Sequence, residues 1–161
     1  MQPMPWAYLD TFTSQDITAI LQSWREQRPE SGVLALVCEQ DHQAVALLQQ
    51  AAATTAMPLL GAVVPGLIAD TRFWREGAVL VALDAATPRR IVPMPHVGYR
   101  ATDAAVAALA DFVVTQANAD GGDTLLLLMD TMIPDAASLL DRLYLEIGDQ
   151  VNYAGVCVGS E

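Results

Sequence analysis

The sequence predicts an α/β fold: a mostly parallel central sheet with helices on both faces, extended by an antiparallel hairpin into a mixed sheet. Three observations carry this. Short runs rich in valine and leucine, without polar alternation, read as strands buried on both faces. Stretches of helical periodicity lie between them, so successive strands are joined by crossovers and run parallel. Two strand–helix–strand units are also spaced alike: Asp41 precedes Gly61 by twenty residues, and Asp135 precedes Gly155 by twenty. At 161 residues, 53% apolar and 17% charged, the chain suits a single folded domain over 1–161 rather than a disordered segment.

In "TSQDITAILQSWREQ", Thr13 and Asp16 form a near capping box, and Ile17, Ile20, Leu21 and Trp24 recur at helical spacing. "PESG" ends that helix, and "VLALVCEQ" (33–40) is the first buried strand. A second helix starts at an expected Asp41 N-cap and carries Val45, Leu48 and Ala52 on one stripe. "MPLLGAVV" is the next strand. "REGAVLVALDAATPRRIVPMP" reads as a β-hairpin, strand 78–83, turn 84–88 and return strand 91–94. An alanine-rich helix follows, with Val106, Leu109 and Val113 inward. "TLLLLMD", "PDAASLLDRLYLEIGD" and "VNYAGVCVGSE" then supply a strand, a helix and a last strand.

Composition excludes several kinds of chemistry. The net charge is −11, which repels phosphate backbones, so neither nucleic acid nor an anionic membrane is an expected partner. The eight basic residues are all arginine. Without lysine there is no Schiff-base amine and no phosphate-cradling GxxxxGK[ST] loop. No GxSxG elbow, HExxH or Cys/His cluster occurs, so no catalytic residue, metal ligand or cofactor site is expected. "NADGGD" has the composition of a calcium loop with misplaced glycines and no closing glutamate. Cys38 and Cys157 sit in apolar runs, which reads as buried, inert thiols, with a disulfide or a reactive thiol as the alternative. No basic segment with an apolar core opens the chain, so a secretory signal is not expected and the cytoplasm is the default.

The candidate site lies in the glycine-spaced strand ends. "GAVVPG" (Gly61, Val64, Gly66) and "GVCVGS" (Gly155, Gly159, Ser160) each end a predicted parallel strand, where open α/β sheets bind ligands. Bare backbone there either admits a ligand or relieves crowding between strands. On the ligand reading both segments floor one pocket, and a bulky side chain at Gly61 closes it with little harm to the fold. Asp130, just past its strand, would accept from an ammonium group. Five of the eight arginines fall between residues 72 and 100. Among them Arg72 and Arg100, with His96, are the candidates to meet a carboxylate.

From about Gly32 onward the chain resembles the N-terminal part of FIST domains, sensory modules of signalling proteins. "VLALVCEQDHQAVALLQQ" is similar to that family's first strand and helix. "LLGAVVPGLI" stands where the family has a Gly-Cys-Ser/Thr-x-x-Gly-Glu-Ile-like segment, matching at Gly61, Gly66 and Ile68. "LLLLMDTMIPDAASLLDRLYLEIGDQVNYAGVCVGS" is similar to its strand, turn, helix and closing glycine-rich strand. The departures are Ala62 and Val63 in place of small polar residues, Leu67 in place of an acid, and Ser160 in place of an aspartate. The resemblance implies a non-catalytic module that senses a small molecule, such as an amino acid or small carboxylate. It also implies a C-terminal half as partner, or self-association in its stead. A structural or protein-interaction domain with a vestigial pocket, and an enzyme of unknown class, stay open as alternatives.

Overall fold

Thr13 opens the first helix as the sequence predicts: its hydroxyl accepts from the Asp16 amide at 3.0 Å and donates to the Asp16 carboxylate at 2.6 Å. A computed structural model of the chain describes residues 5–69, 71–93, 99–117, 122–130, 133 and 136–158, excepting the side chains of 99–102. Two compact units result, Met1–Thr87 with Val158–Glu161, and Pro88–Cys157.

The first unit runs β1 (Trp6–Leu9), α1 (Ser14–Gln27), β2 (Gly32–Cys38), a 3-10 turn (Glu39–Asp41), α2 (Ala44–Thr54), β3 (Leu59–Val64), β4 (Leu67–Ala69), β5 (Arg72–Trp74) and β6 (Ala78–Leu83). Its main sheet has the order β1-β6-β2-β3. β2 pairs parallel with β3 and antiparallel with β6, and β6 pairs antiparallel with β1. The sheet is therefore mixed, but β6 sits inside it rather than as one arm of a hairpin at its margin. The composition of β6 explains this, because Ala78, Leu80 and Ala82 are fully buried against α1 and α2. Residues 91–93 form no strand, and Met94 lies outside the described residues. The antiparallel hairpin is instead β4–β5, whose turn holds Thr71 at φ +68°.

Helices were expected on both faces; here α1 and α2 share one. Val33, Ala35 and Val37 of β2 pack in one cluster with Ile17, Leu21 and Trp24 of α1 and with Ala44, Leu48 and Ala51 of α2. The strand order gives the reason. β1 to β2 and β2 to β3 are both crossovers between parallel strands, and both advance in the same direction across the sheet. Right-handed connections then place both helices on the same side. Asp41 caps no helix; α2 begins three residues later with Gln43 at its N-cap and no side-chain cap bond.

The second unit holds α3 (Tyr99–Gln116), β7 (Thr124–Asp130), α4 (Ala136–Ile147) and β8 (Asn152–Val158). β7 and β8 form their own two-stranded sheet, so the four strands predicted for one sheet are divided between two. The Asn152 amide donates to the Asp123 carbonyl, and Gly155 lies against Leu127, so the two strands run in the same direction. Val106 and Val113 of α3 and Leu139, Leu143 and Ile147 of α4 form the core, with Leu125, Leu127 and Met129 of β7 packed against it. Cys157 is exposed, whereas Cys38 is buried.

The two units share one device. A Cβ at Gly61 would run into the carbonyl oxygen of Ala35, the fourth residue of β2. A Cβ at Gly155 would come within 2.7 Å of the carbonyl oxygen of Leu127, the fourth residue of β7. Both glycines thus exist for the neighbouring strand. Gly61→Ala and Gly155→Ala should each lower unfolding free energy by roughly 1–3 kcal/mol, the cost of overpacking a close contact, as measured by urea denaturation. The expectation that Gly61 tolerates a bulky residue is corrected accordingly.

Candidate functional site

The carboxyl ends of β2 and β3 meet at the Cys38–Val64 register pair. In α/β sheets this edge is where the chain turns away and ligands can approach. Here the segment leaving β3 folds straight into the β4–β5 hairpin, and the return to β6 passes over the end of β2. Three side chains fasten that return. The Asp41 carboxylate accepts the Gly77 amide at 2.6 Å. The Tyr8 hydroxyl donates to the Glu76 carbonyl at 3.0 Å. The Cys38 thiol points at the Trp74 carbonyl at 3.7 Å, a weak bond that closes the cluster.

Trp74 is the centre of this arrangement. Its ring lies 5.0 Å from that of Tyr8, tilted by 36°, and its indole N–H donates to the Ala69 carbonyl across the hairpin. Side chains alternate along a strand, so Arg72 emerges from the same face of β5 as Trp74, two residue pairs nearer the turn. Leu67 and Ala69 complete that face and are buried, while Arg72 is exposed at its rim. The other face carries the Ile68–Phe73 cross-strand pair, both members largely exposed.

The electrostatics follow from burial beside carboxylates. The Cys38 thiol is raised from its ordinary 9.0 by burial first and then by Asp41 and Glu76, against a Leu67 amide that favours the thiolate. Tyr8 is raised by burial, then by Cys38, Asp10, Asp41 and Glu76. Cys38 therefore holds its proton at neutral pH and is a poor nucleophile there. Among the described residues no three His, Cys, Asp or Glu side chains are grouped so as to hold a metal ion.

The structure brings some of the predicted site residues together. Val64 is buried at the end of β3, and Arg72 stands on the hairpin that follows. Gly66 lies beneath the Phe73 ring and the Trp74 carbonyl, which a Cβ would strike, so its bare backbone is taken up by protein atoms rather than left open. Gly61 faces Ala35 within the sheet. Gly155 and Asp130 belong to β8 and β7 of the other unit, Gly155 occupied by Leu127. Arg100 lies in the first turn of α3, its side chain outside the described residues. His96, Gly159 and Ser160 also lie outside them. Sequence reasoning missed Tyr8, Asp41, Trp74 and Gly77 as a group. Their partners are separated by 36 to 68 residues, and no local spacing announces them.

No family model, no curated protein and no solved structure matches the chain. No helix among the described residues is long and apolar enough to cross a membrane.

Two outcomes check this geometry. Asp41→Ala should cost about 1.5–3 kcal/mol of stability, the scale of a hydrogen bond to a charged group, in thermal or urea unfolding. A thiol reagent should titrate Cys157 rapidly in the native protein and Cys38 only after denaturation. Because the folded state raises the Cys38 pKa, its contribution to stability is complete below the unfolded thiol's pKa. It is lost as pH rises through the folded one. Cys38→Ser should therefore flatten the alkaline fall in stability.

Proposed function

We propose that the chain is a non-catalytic module that senses a small carboxylate with an apolar body, such as an amino acid, in the manner its resemblance to FIST domains implies. The observation that carries this reading is Arg72. It stands on the hairpin at the carboxyl edge of a parallel strand pair, on the same face as the Trp74 ring, which is paired with Tyr8. A guanidinium binds a carboxylate through a bidentate fork, and the adjoining aromatic surface accepts the apolar remainder of the same molecule. The fastened Trp74–Gly77 segment holds these groups in position, which lowers the ordering cost of binding. Val64 is buried at the end of β3, where this edge begins.

The glycines have no contact role in this reading; they set the strand spacing on which the edge is built. Sensing fits better than turnover because the buried thiol is held protonated and the carboxylate beside it is engaged with a main-chain amide.

The test is a thermal-shift screen of the amino acids and small mono- and dicarboxylates. A true ligand at a hundred times its Kd should stabilise the protein by about 2.7 kcal/mol. Arg72→Gln should weaken that ligand's binding about tenfold or more while leaving the unliganded melting temperature unchanged. Absence of stabilisation by any member of the panel overturns the proposal.

A further inference from the structure

The turn that ends α4 gathers two tyrosines onto one glycine. Gly148, at φ +62°, stops the helix, and its amide donates to the Tyr144 carbonyl at 2.7 Å. Its own carbonyl accepts from the Tyr153 hydroxyl of β8, also at 2.7 Å. The main chain of one tyrosine and the side chain of the other are therefore fixed at the same residue. Their ring centroids lie 5.8 Å apart with the planes inclined by 53°. That is a wedge rather than a closed stack, and both residues meet solvent, Tyr144 with 57% of its surface exposed and Tyr153 with 37%.

The surroundings of the wedge are electronegative. The last carbonyls of a helix carry the negative end of its dipole, and the Tyr153 phenol reaches that end of α4. Asp149 follows directly and acts on the same ring. The Tyr153 hydroxyl is raised above its ordinary 10.0 by burial first, then by Tyr144 and Asp149. From Leu143 to Val158 the sequence has Glu146 and Asp149 and no basic residue. Arg142, the basic residue of α4, is paired with Asp103 of α3. Leu140 stands one turn before Tyr144, partly exposed, and continues the apolar surface.

We propose that the Tyr144–Tyr153 wedge binds an organic cation whose head group is a quaternary ammonium. An aromatic ring presents a negative π face, and two rings with a carboxylate beside them attract a cation from more than one side. A quaternary ammonium suits the wedge because it offers methyl groups to the rings and Leu140 and has no N–H donors to leave unpaired. A metal ion needs several charged or oxygen ligands, and no such group of side chains occurs among the described residues. The bond to Gly148 holds Tyr153 in place before the cation arrives, which lowers the ordering cost of binding. An acidic corner repels carboxylates, so this site is separate from the ligand reading of the first unit and does not rest on it.

Titration with tetramethylammonium chloride at constant ionic strength tests it, followed through the ring signals of Tyr144 and Tyr153 in a proton–carbon correlation spectrum. Saturable shifts at both rings are the expected result. Neopentyl alcohol, a neutral compound of similar shape, should bind about tenfold more weakly. Tyr144→Leu should abolish saturation at Tyr153 with the fold unchanged by circular dichroism, whereas Tyr144→Phe, which keeps the ring, should bind. Asp149→Asn should weaken binding about threefold. Shifts that do not saturate overturn the proposal, as does equal affinity for neopentyl alcohol. So do a Tyr144→Leu protein that still binds, a Tyr144→Phe protein that does not, or an Asp149→Asn protein with the parent's affinity.

Discussion

Two parallel strands that approach each other with no side chain between them at the midpoint underlie both halves of this chain. In the first unit the Gly61 backbone lies on the Ala35 carbonyl, and in the second the Gly155 backbone lies on that of Leu127. A methyl group at either place would push the strands apart. Ala35 is buried in the first core, and Leu127 packs partly buried against the second. The same packing answer thus occurs at the same strand position in two units of similar order. The units diverge in what is added. The first also contains β1 and β6 and a large core, and among the described residues the second holds two strands and two helices.

That addition also makes the candidate site. β6 can enter beside β2 only if the chain returns over the carboxyl edge, and Asp41, Tyr8 and Cys38 hold it there. The return brings the hairpin with it. Trp74 is thereby set beside Cys38 at the strand end, with Arg72 two residues earlier on the same face of β5. Two of the side chains that fasten the segment, Cys38 and Tyr8, are raised above their ordinary values, because burial and the neighbouring carboxylates act together on them. Stability of the edge and its chemical quietness have one cause.

Much of this was legible in the sequence, and the reasons are local. The Thr13–Asp16 cap, the helical stripe of Ile17, Leu21 and Trp24, and the uninterrupted apolar runs of β2 and β7 depend on neighbours a few residues away, and they appear where expected. The mixed α/β class follows from their order. The position of β6 was not legible, because "AVLVAL" serves equally as a hairpin arm or a central strand. Only the shared burial of Ala78, Leu80 and Ala82 with α1 and α2 decides. The sequence leaves the cause of Gly61 and Gly155 open between ligand approach and strand contact, and the neighbouring strand is what occupies both. Asp41 read as a helix cap because an acid before a helical stripe ordinarily is one, and its true partner, Gly77, lies 36 residues on. Arg72 stands out in the sequence by its residue type alone, and only the β4–β5 hairpin sets it on one face with Trp74.

The central claim is that recognition belongs to the hairpin-bearing carboxyl edge of the first unit. Amide chemical-shift mapping, with the protein titrated by amino acids and small carboxylates, tests it most directly. Perturbation gathered on residues 64–77 and on Tyr8, saturating with one ligand and absent in Arg72→Gln, is the predicted result. Shifts gathered on β7 and β8 instead, or none with any ligand, would contradict it.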